Sequence, residues 1–262
     1  MNNVINDISD LIDEMAMCYY HSLVEEDKKI SYFECLTYTL NSFYEEMPYA
    51  KLKILPEDLD KLKELTKEIK KIKINQEELR RALFLLEIKG YKHSNYSLDQ
   101  ITPDGVAAIF TFLLDISKYP KHPSLLDITM GTGNLSMVIS NFSKNDWHLN
   151  GIEQDLKLCN YLSAKANFLQ KELAIHMQDA LELNYQNVDA IIGDIPNYEY
   201  KNEYYTSPMY DEGVRSFTYL AIERHIDSGK ENTRAYYLVD SDFFTLQGSD
   251  IFKKEFQKRA FF

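Results

Sequence analysis

Apolar residues recur every three or four positions through the first hundred residues, and polar ones fill the gaps. Ile5, Ile8, Ile12, Met15 and Tyr19 trace one such stripe, the spacing of a single helical face. Tyr32 to Tyr44 predicts a second, aromatic-rich helix. Pro56 suits the first turn of a third, on which Leu59, Leu62, Leu65, Ile69 and Ile72 share a face. A fourth helix is expected from Gln76 to Lys89, stopped by Gly90. Lys61, Lys63, Lys67, Lys70, Lys71, Lys73, Arg80 and Arg81 crowd the last two helices, but Glu57, Asp58, Asp60, Glu64, Glu68, Glu77 and Glu78 interleave with them. Such mixing predicts a solvated face of ion pairs in preference to a basic face that tracks a phosphate backbone.

Beyond Pro103 the pattern changes to short β-branched runs alternating with helical stretches. Strands are expected at 124–129, 148–153, 174–178, 189–193 and 234–239, and helices at 104–118, 134–142, 156–171, 214–227 and 248–262. This alternation argues for a doubly wound α/β domain with a parallel, Rossmann-like sheet. The expected organisation is an all-helical N-terminal domain over 1–98 and an α/β domain over 99–262.

Composition narrows the function. With 41 acidic residues against 29 basic ones, the net charge of −12 opposes generic binding to polyanions. Cys18, Cys35 and Cys159 are odd in number and far apart, which excludes a disulfide framework and a paired-cysteine metal site. The six histidines show no zinc-helix pairing, and neither a nucleophile elbow nor a phosphate-binding glycine-lysine loop is present. No long apolar run or signal segment is evident, so a cytoplasmic protein without membrane contact is expected.

In doubly wound sheets, ligands sit at the carboxyl ends of the strands. The first strand ends in Asp127, followed by Ile-Thr-Met and then Gly131-Thr132-Gly133-Asn134, a tight turn that lets backbone approach a ligand as a helix begins. The second strand ends in Glu153, at a distance that suits a carboxylate accepting hydrogen bonds from ribose hydroxyls. Ser136 stands where a dinucleotide site wants a third glycine, and Asp127 would repel a pyrophosphate. A nucleoside carrying an ammonium and a sulfonium fits better, which selects S-adenosylmethionine over NAD. Asp179, ending the third strand, either caps the turn after it or accepts from the adenine amino group. The fourth strand delivers Asp194-Ile195-Pro196-Asn197-Tyr198 to the same edge; Asp194 there is either a turn cap or a functional acceptor. Tyr204, Tyr205 and Tyr210 beyond it either line a cleft or pack among themselves.

From Gln76 to about residue 245 the chain resembles class I S-adenosylmethionine-dependent methyltransferases, in particular adenine-specific DNA methyltransferases of a short bacterial branch with a helical N-terminal domain. The resemblance is carried by Gln100-Ile-Thr102-Pro103-Asp104-Gly105, by Asp127 to Gly133, by Glu153 and by Gln178-Asp179. It implies a cofactor site formed by Thr102, Asp127, Thr129, Gly131, Gly133, Asn134, Glu153, Gln154, Asp179 and Ala180. It also implies a catalytic segment, Asp194, Ile195, Pro196, Asn197 and Tyr198, acting on DNA or RNA. In that family an Asn or Asp side chain and the next carbonyl accept the hydrogens of an exocyclic amine, and an aromatic residue stacks on a flipped base. Here Ile195 replaces a proline and Asn197 the aromatic residue, so Tyr198 or Tyr200 would have to supply the ring. The family's sheet has two further strands after the one at 234–239, which this chain is expected to lack. Either the native chain is longer than this one, or Ile251, Phe252, Phe256, Phe261 and Phe262 cover the incomplete sheet or contact a partner. The alternatives are a cofactor-binding regulatory module without transfer activity, and a methyltransferase of a protein or small amine.

Overall fold

The computed structural model describes residues 2–24, 30–44 and 52–259, which form two compact units. Phe261 and Phe262 lie outside the described residues.

The first unit holds residues 1–101 and 155–173. It contains α1 (Asn2–Val24), α2 (Tyr32–Asn41), α3 (Pro56–Ile69), α4 (Gln76–His93) and, from the second segment, α7 (Leu156–Phe168). Ser31 and Asn75 each begin a helix by a reciprocal capping box with Glu34 and Glu78. Gly90 does not end α4; it lies inside the helix, where an added Cβ would come within 2.8 Å of the Phe33 ring. The glycine is there for close packing of α2 on α4 rather than for termination. Most charges on α3 and α4 are solvated, but Arg80 is fully buried and reaches Glu77 at 2.6 Å.

Helix α7 joins this unit for a reason the apolar pattern does not carry. Lys165 and Glu87, both fully buried, pair at 2.6 Å, and the Tyr161 hydroxyl donates to the same Glu87 oxygen. The rings of Phe33 and Tyr161 pack edge to face at 5.2 Å, and Tyr44 donates to the Asn167 carbonyl.

The second unit holds residues 102–154 and 174–262. Its elements are α5 (Asp104–Asp115), β1 (Ser124–Asp127), α6 (Asn134–Phe142), β2 (His148–Glu153), β3 (Leu173–Met177), β4 (Val188–Asp194), α8 (Pro208–Asp211), α9 (Phe217–His225), β5 (Gly229–Leu238) and α10 (Ser249–Phe256). Leu173, the first residue of β3, is assigned to the other unit. The sheet order is β3-β2-β1-β4-β5, and β1 pairs in parallel with both β2 and β4, as β4 does with β5. This is the expected doubly wound arrangement. The order reverses between β1 and β4, so Asp127 and Asp194 end the two strands that flank the switch point.

Strand β5 begins five residues before the expected 234. Val188 faces Gly229 while Ala190 faces Arg234, so Lys230 to Thr233 bulge out, and Asn232 takes a left-handed φ of 68°. Polar Gly229-Lys-Glu-Asn-Thr has no alternating pattern, which is why it does not read as a strand. Among the described residues β5 pairs with β4 alone. The helix expected over 248–262 runs from 249 to 256. Phe252 there is buried, stacked on Tyr219 of α9 at 4.7 Å and edge-on to Phe243, so it completes the core of this unit.

Candidate functional site

The carboxyl end of the sheet is built by three turns. After β1 the chain needs left-handed backbone at two places, and glycine supplies both: Gly131 at φ 56° and Gly133 at φ 75°. Gly133 donates to the Met130 carbonyl and starts α6. Gly151 on β2, the register partner of Asp127, leaves room for Met130; a Cβ there would lie 2.0 Å from its sulfur.

Asp127 is almost completely buried. Its carboxylate accepts from the Ser136 hydroxyl at 2.7 Å and weakly from the Thr129 N–H at 3.3 Å. Burial pushes its pKa up from 3.8 to about 7, the Ser136 and Thr129 donors pull it back, and the charges of Asp194 and Glu153 raise it further. The charged groups that act on it are therefore themselves acidic. Glu153, at the end of β2, accepts from the Gly131 N–H at 2.9 Å, which fixes the glycine turn against the second strand. Gln154 follows it, exposed.

Asp194 is held from two sides. Its Oδ2 accepts from the Thr102 hydroxyl at 2.7 Å, and its backbone carbonyl accepts from the Thr129 hydroxyl at 3.0 Å. Thr102 in turn gives its carbonyl to the Asn134 amide at 2.8 Å, and the same amide donates to Asp104 at 3.1 Å. Asp127, Thr129, Asp194, Thr102 and Asn134 are thus joined by one chain of hydrogen bonds, beside which Glu153 and Gly131 form a separate pair. Ser136 and Asp104 also belong to that chain, through Asp127 and Asn134, although neither is among the expected site residues.

The third turn is separate. Asp179 accepts from the Leu181 N–H at 2.8 Å, which is the capping role, and its other oxygen accepts from the Tyr200 hydroxyl at 3.2 Å. Ala180 is buried and its carbonyl is held by His225 Nε2 at 2.8 Å.

After Asp194, the Ile195 N–H donates to the Leu238 carbonyl, and Ile195 is buried. Pro196 gives its carbonyl to the Thr218 hydroxyl at 3.2 Å, while exposed Asn197 accepts from the Ser216 hydroxyl at 3.2 Å. Tyr198 lies flat on Phe217, with ring centroids 4.5 Å apart and planes 15° apart. Tyr205 and Tyr210 pack edge to face with each other and with Tyr200, whereas Tyr204 points into solvent. Among the described residues no cluster of histidine, cysteine, aspartate or glutamate suits a metal ion, and no helix is long and apolar enough to cross a membrane.

A carboxylate-rich strand edge at a switch point, with a glycine turn and, among the described residues, no cationic partner for its buried acid, suits a cationic nucleoside and opposes a nucleotide phosphate. Comparison with known proteins bears on the fold. The chain is similar to a Listeria monocytogenes protein assigned to the class I S-adenosylmethionine-dependent methyltransferases, with a TM-score of 0.82 and 24% identity over 98% of this chain and 80% of that one. The fold is that of the class I methyltransferases. A methyltransferase subunit of a type I restriction-modification system from Streptococcus thermophilus is similar over 86% of this chain and 55% of its own, with a TM-score of 0.56 and 16% identity. In sequence, the uncharacterized protein YtxK of Bacillus subtilis is 29% identical over 97% of this chain and 77% of its own length. No protein-family profile matches the chain.

Proposed function

We propose that this protein is an S-adenosylmethionine-dependent methyltransferase whose acceptor is an amino nitrogen, that of adenine in nucleic acid. The observation that carries the reading is Asp127: a buried carboxyl at the switch point, beside a left-handed glycine turn, whose charged neighbours are the acids Asp194 and Glu153. Such a group waits for a cation, and the cofactor's ammonium and sulfonium supply one. Thr102, Asp127, Thr129, Gly131, Gly133 and Asn134 would hold the methionyl end; Glu153 and Gln154 the ribose; Asp179 and Ala180 the adenine. When bound, the cofactor supplies an electrophilic methyl group.

Asp194 then does the work on the acceptor. The Thr102 hydroxyl holds Oδ2, which keeps the carboxylate in one orientation. An amine donating to this carboxylate and to the Ile195 carbonyl keeps its lone pair localised and directed, which is the orientation a weak nucleophile needs. The restriction-modification relative supports a nucleic-acid acceptor, while the net charge of −12 argues that any such contact is local rather than along an extended phosphate backbone.

A second reading, a cofactor-binding module without transfer, is favoured by Asn197, a polar exposed residue where an acceptor base would meet an aromatic ring. Labelled methyl transfer separates the two. The protein with labelled cofactor should mark DNA or RNA, and Asp194→Ala should abolish the label while leaving cofactor binding intact. Cofactor binding with no labelled product from DNA, RNA or a cell extract would select the module, and label on a protein or small amine would replace the acceptor. A melting temperature unmoved by S-adenosylmethionine at about a hundredfold its expected dissociation constant, where about 2.7 kcal/mol of stabilisation is due, would refute the cofactor site itself.

A further inference from the structure

The aromatic residue of the segment after Asp194 has an unexpected position. Residues 198–200 run antiparallel to 215–217: Glu199 bridges Ser216, the Tyr200 N–H donates to the Arg215 carbonyl at 2.7 Å, and the Phe217 N–H to the Tyr198 carbonyl at 2.9 Å. This pins Tyr198 to the start of α9. One face of its ring is covered by Phe217, which is itself buried, yet the side chain stays 41% exposed. Tyr200 shares the same Phe217 at 6.3 Å and sends its hydroxyl to Asp179. Tyr198, Phe217, Tyr200 and Asp179 therefore make one wall.

We propose that Tyr198, backed by Phe217, stacks on the adenine of the cofactor and sets the site's preference for an adenosyl group, rather than serving as the platform for the methyl acceptor. The inference rests on the cofactor reading above. A phenol held parallel to a second ring offers its free face to a planar base, which stacks without demanding a particular hydrogen-bond pattern. The surroundings agree. Burial, then the charge of Asp179, neighbouring Tyr200 and the charge of Glu153 raise the phenol above its ordinary pKa, so the carboxylates assigned to adenine and ribose both act on it. In this arrangement the residue that follows Pro196, Asn197, is polar because the ring has been moved to the cofactor side.

Calorimetric binding to the full chain, without any acceptor, tests this. S-adenosylhomocysteine should bind Tyr198→Phe within about twofold of the wild type and Tyr198→Leu about tenfold or more weakly, since leucine covers Phe217 but cannot stack. S-ribosylhomocysteine, which keeps the ribose and amino acid but has no base, should bind the wild type and Tyr198→Leu alike; a merely structural role would weaken both ligands together. Equal S-adenosylhomocysteine affinity in Tyr198→Leu and the wild type would overturn this inference alone and return Tyr198 to the acceptor. A wild type that binds no S-adenosylhomocysteine would overturn the cofactor reading, and this inference with it.

Discussion

Replacing Asp127 by Asn should stabilise the ligand-free protein while weakening its site. The carboxyl is almost wholly buried and its pKa stands at about 7 instead of 3.8. Between those values the folded chain keeps a proton that the unfolded chain has lost, so stability falls as pH rises through the window, and the full penalty is present above pH 7. At about 1.36 kcal/mol per tenfold change in proton affinity, the penalty is at most about 4 kcal/mol. Asparagine keeps an acceptor for the Thr129 N–H and can donate to the Ser136 hydroxyl, so it retains the shape and loses the charge. Denaturant unfolding of both proteins at pH 4 and pH 8 isolates the effect, because all other titrations cancel in the difference. The variant should match the wild type near pH 4 and exceed it by about 2–4 kcal/mol at pH 8. S-adenosylmethionine should bind it about tenfold to hundredfold more weakly, the loss expected for a charged hydrogen-bond partner. A difference that does not change with pH, or a variant less stable at pH 8, would refute the electrostatic account of the site.

Two further outcomes follow from buried titratable groups. His225 is buried, its Nε2 bound to the Ala180 carbonyl, and burial lowers its pKa from 6.5 to about 4; the folded state needs it neutral, so stability present above pH 6.5 should be lost as pH falls towards 4. His225→Gln should remove up to about 3 kcal/mol of that acid sensitivity, read as a flatter melting temperature between pH 4 and 7; an unchanged slope would assign the sensitivity elsewhere. In the helical unit, Lys165→Met should cost about 3–5 kcal/mol, because Glu87 would be left buried and charged beside the Tyr161 hydroxyl. Adding Glu87→Gln should recover much of the loss, and a double variant no better than the single one would show that packing, not charge, carries the pair.

The sheet was legible because its signals are local. Short apolar runs mark the strands, and Asp127, Glu153 and Asp194 mark strand ends, with Asp179 two residues beyond the end of β3, because a charged residue there can only face a ligand, a turn or water. What did not show in the sequence depends on partners far along the chain. Gly90 reads as a helix stop until Phe33 is known to lie against it. Helix α7 reads as an ordinary crossover helix of the sheet, and it is tied to the helical unit by partners distant in sequence, among them the buried Lys165–Glu87 pair and the Phe33–Tyr161 contact. The bulge at 230–233 is polar and has no period to detect.

The candidate site divides in the same way. Its acids and glycines were visible from spacing; their support was not, since the Thr102 hydroxyl on Asp194 and the Ser136 hydroxyl on Asp127 join residues 92 and 9 positions apart. These hydroxyls separate the two acids chemically. Asp194 ends β4 half-buried with its Oδ2 accepting from Thr102, which fixes the orientation that the proposed acceptor role uses. Asp127 is buried among acids, where its ionised form is costly until a cation arrives. A protein that needed only a stable strand end would place an asparagine or a hydroxyl there. Keeping an acid at that expense makes sense where binding recovers the electrostatic energy, and it ties cofactor affinity to the proton on Asp127: below about pH 7 each binding event should release one.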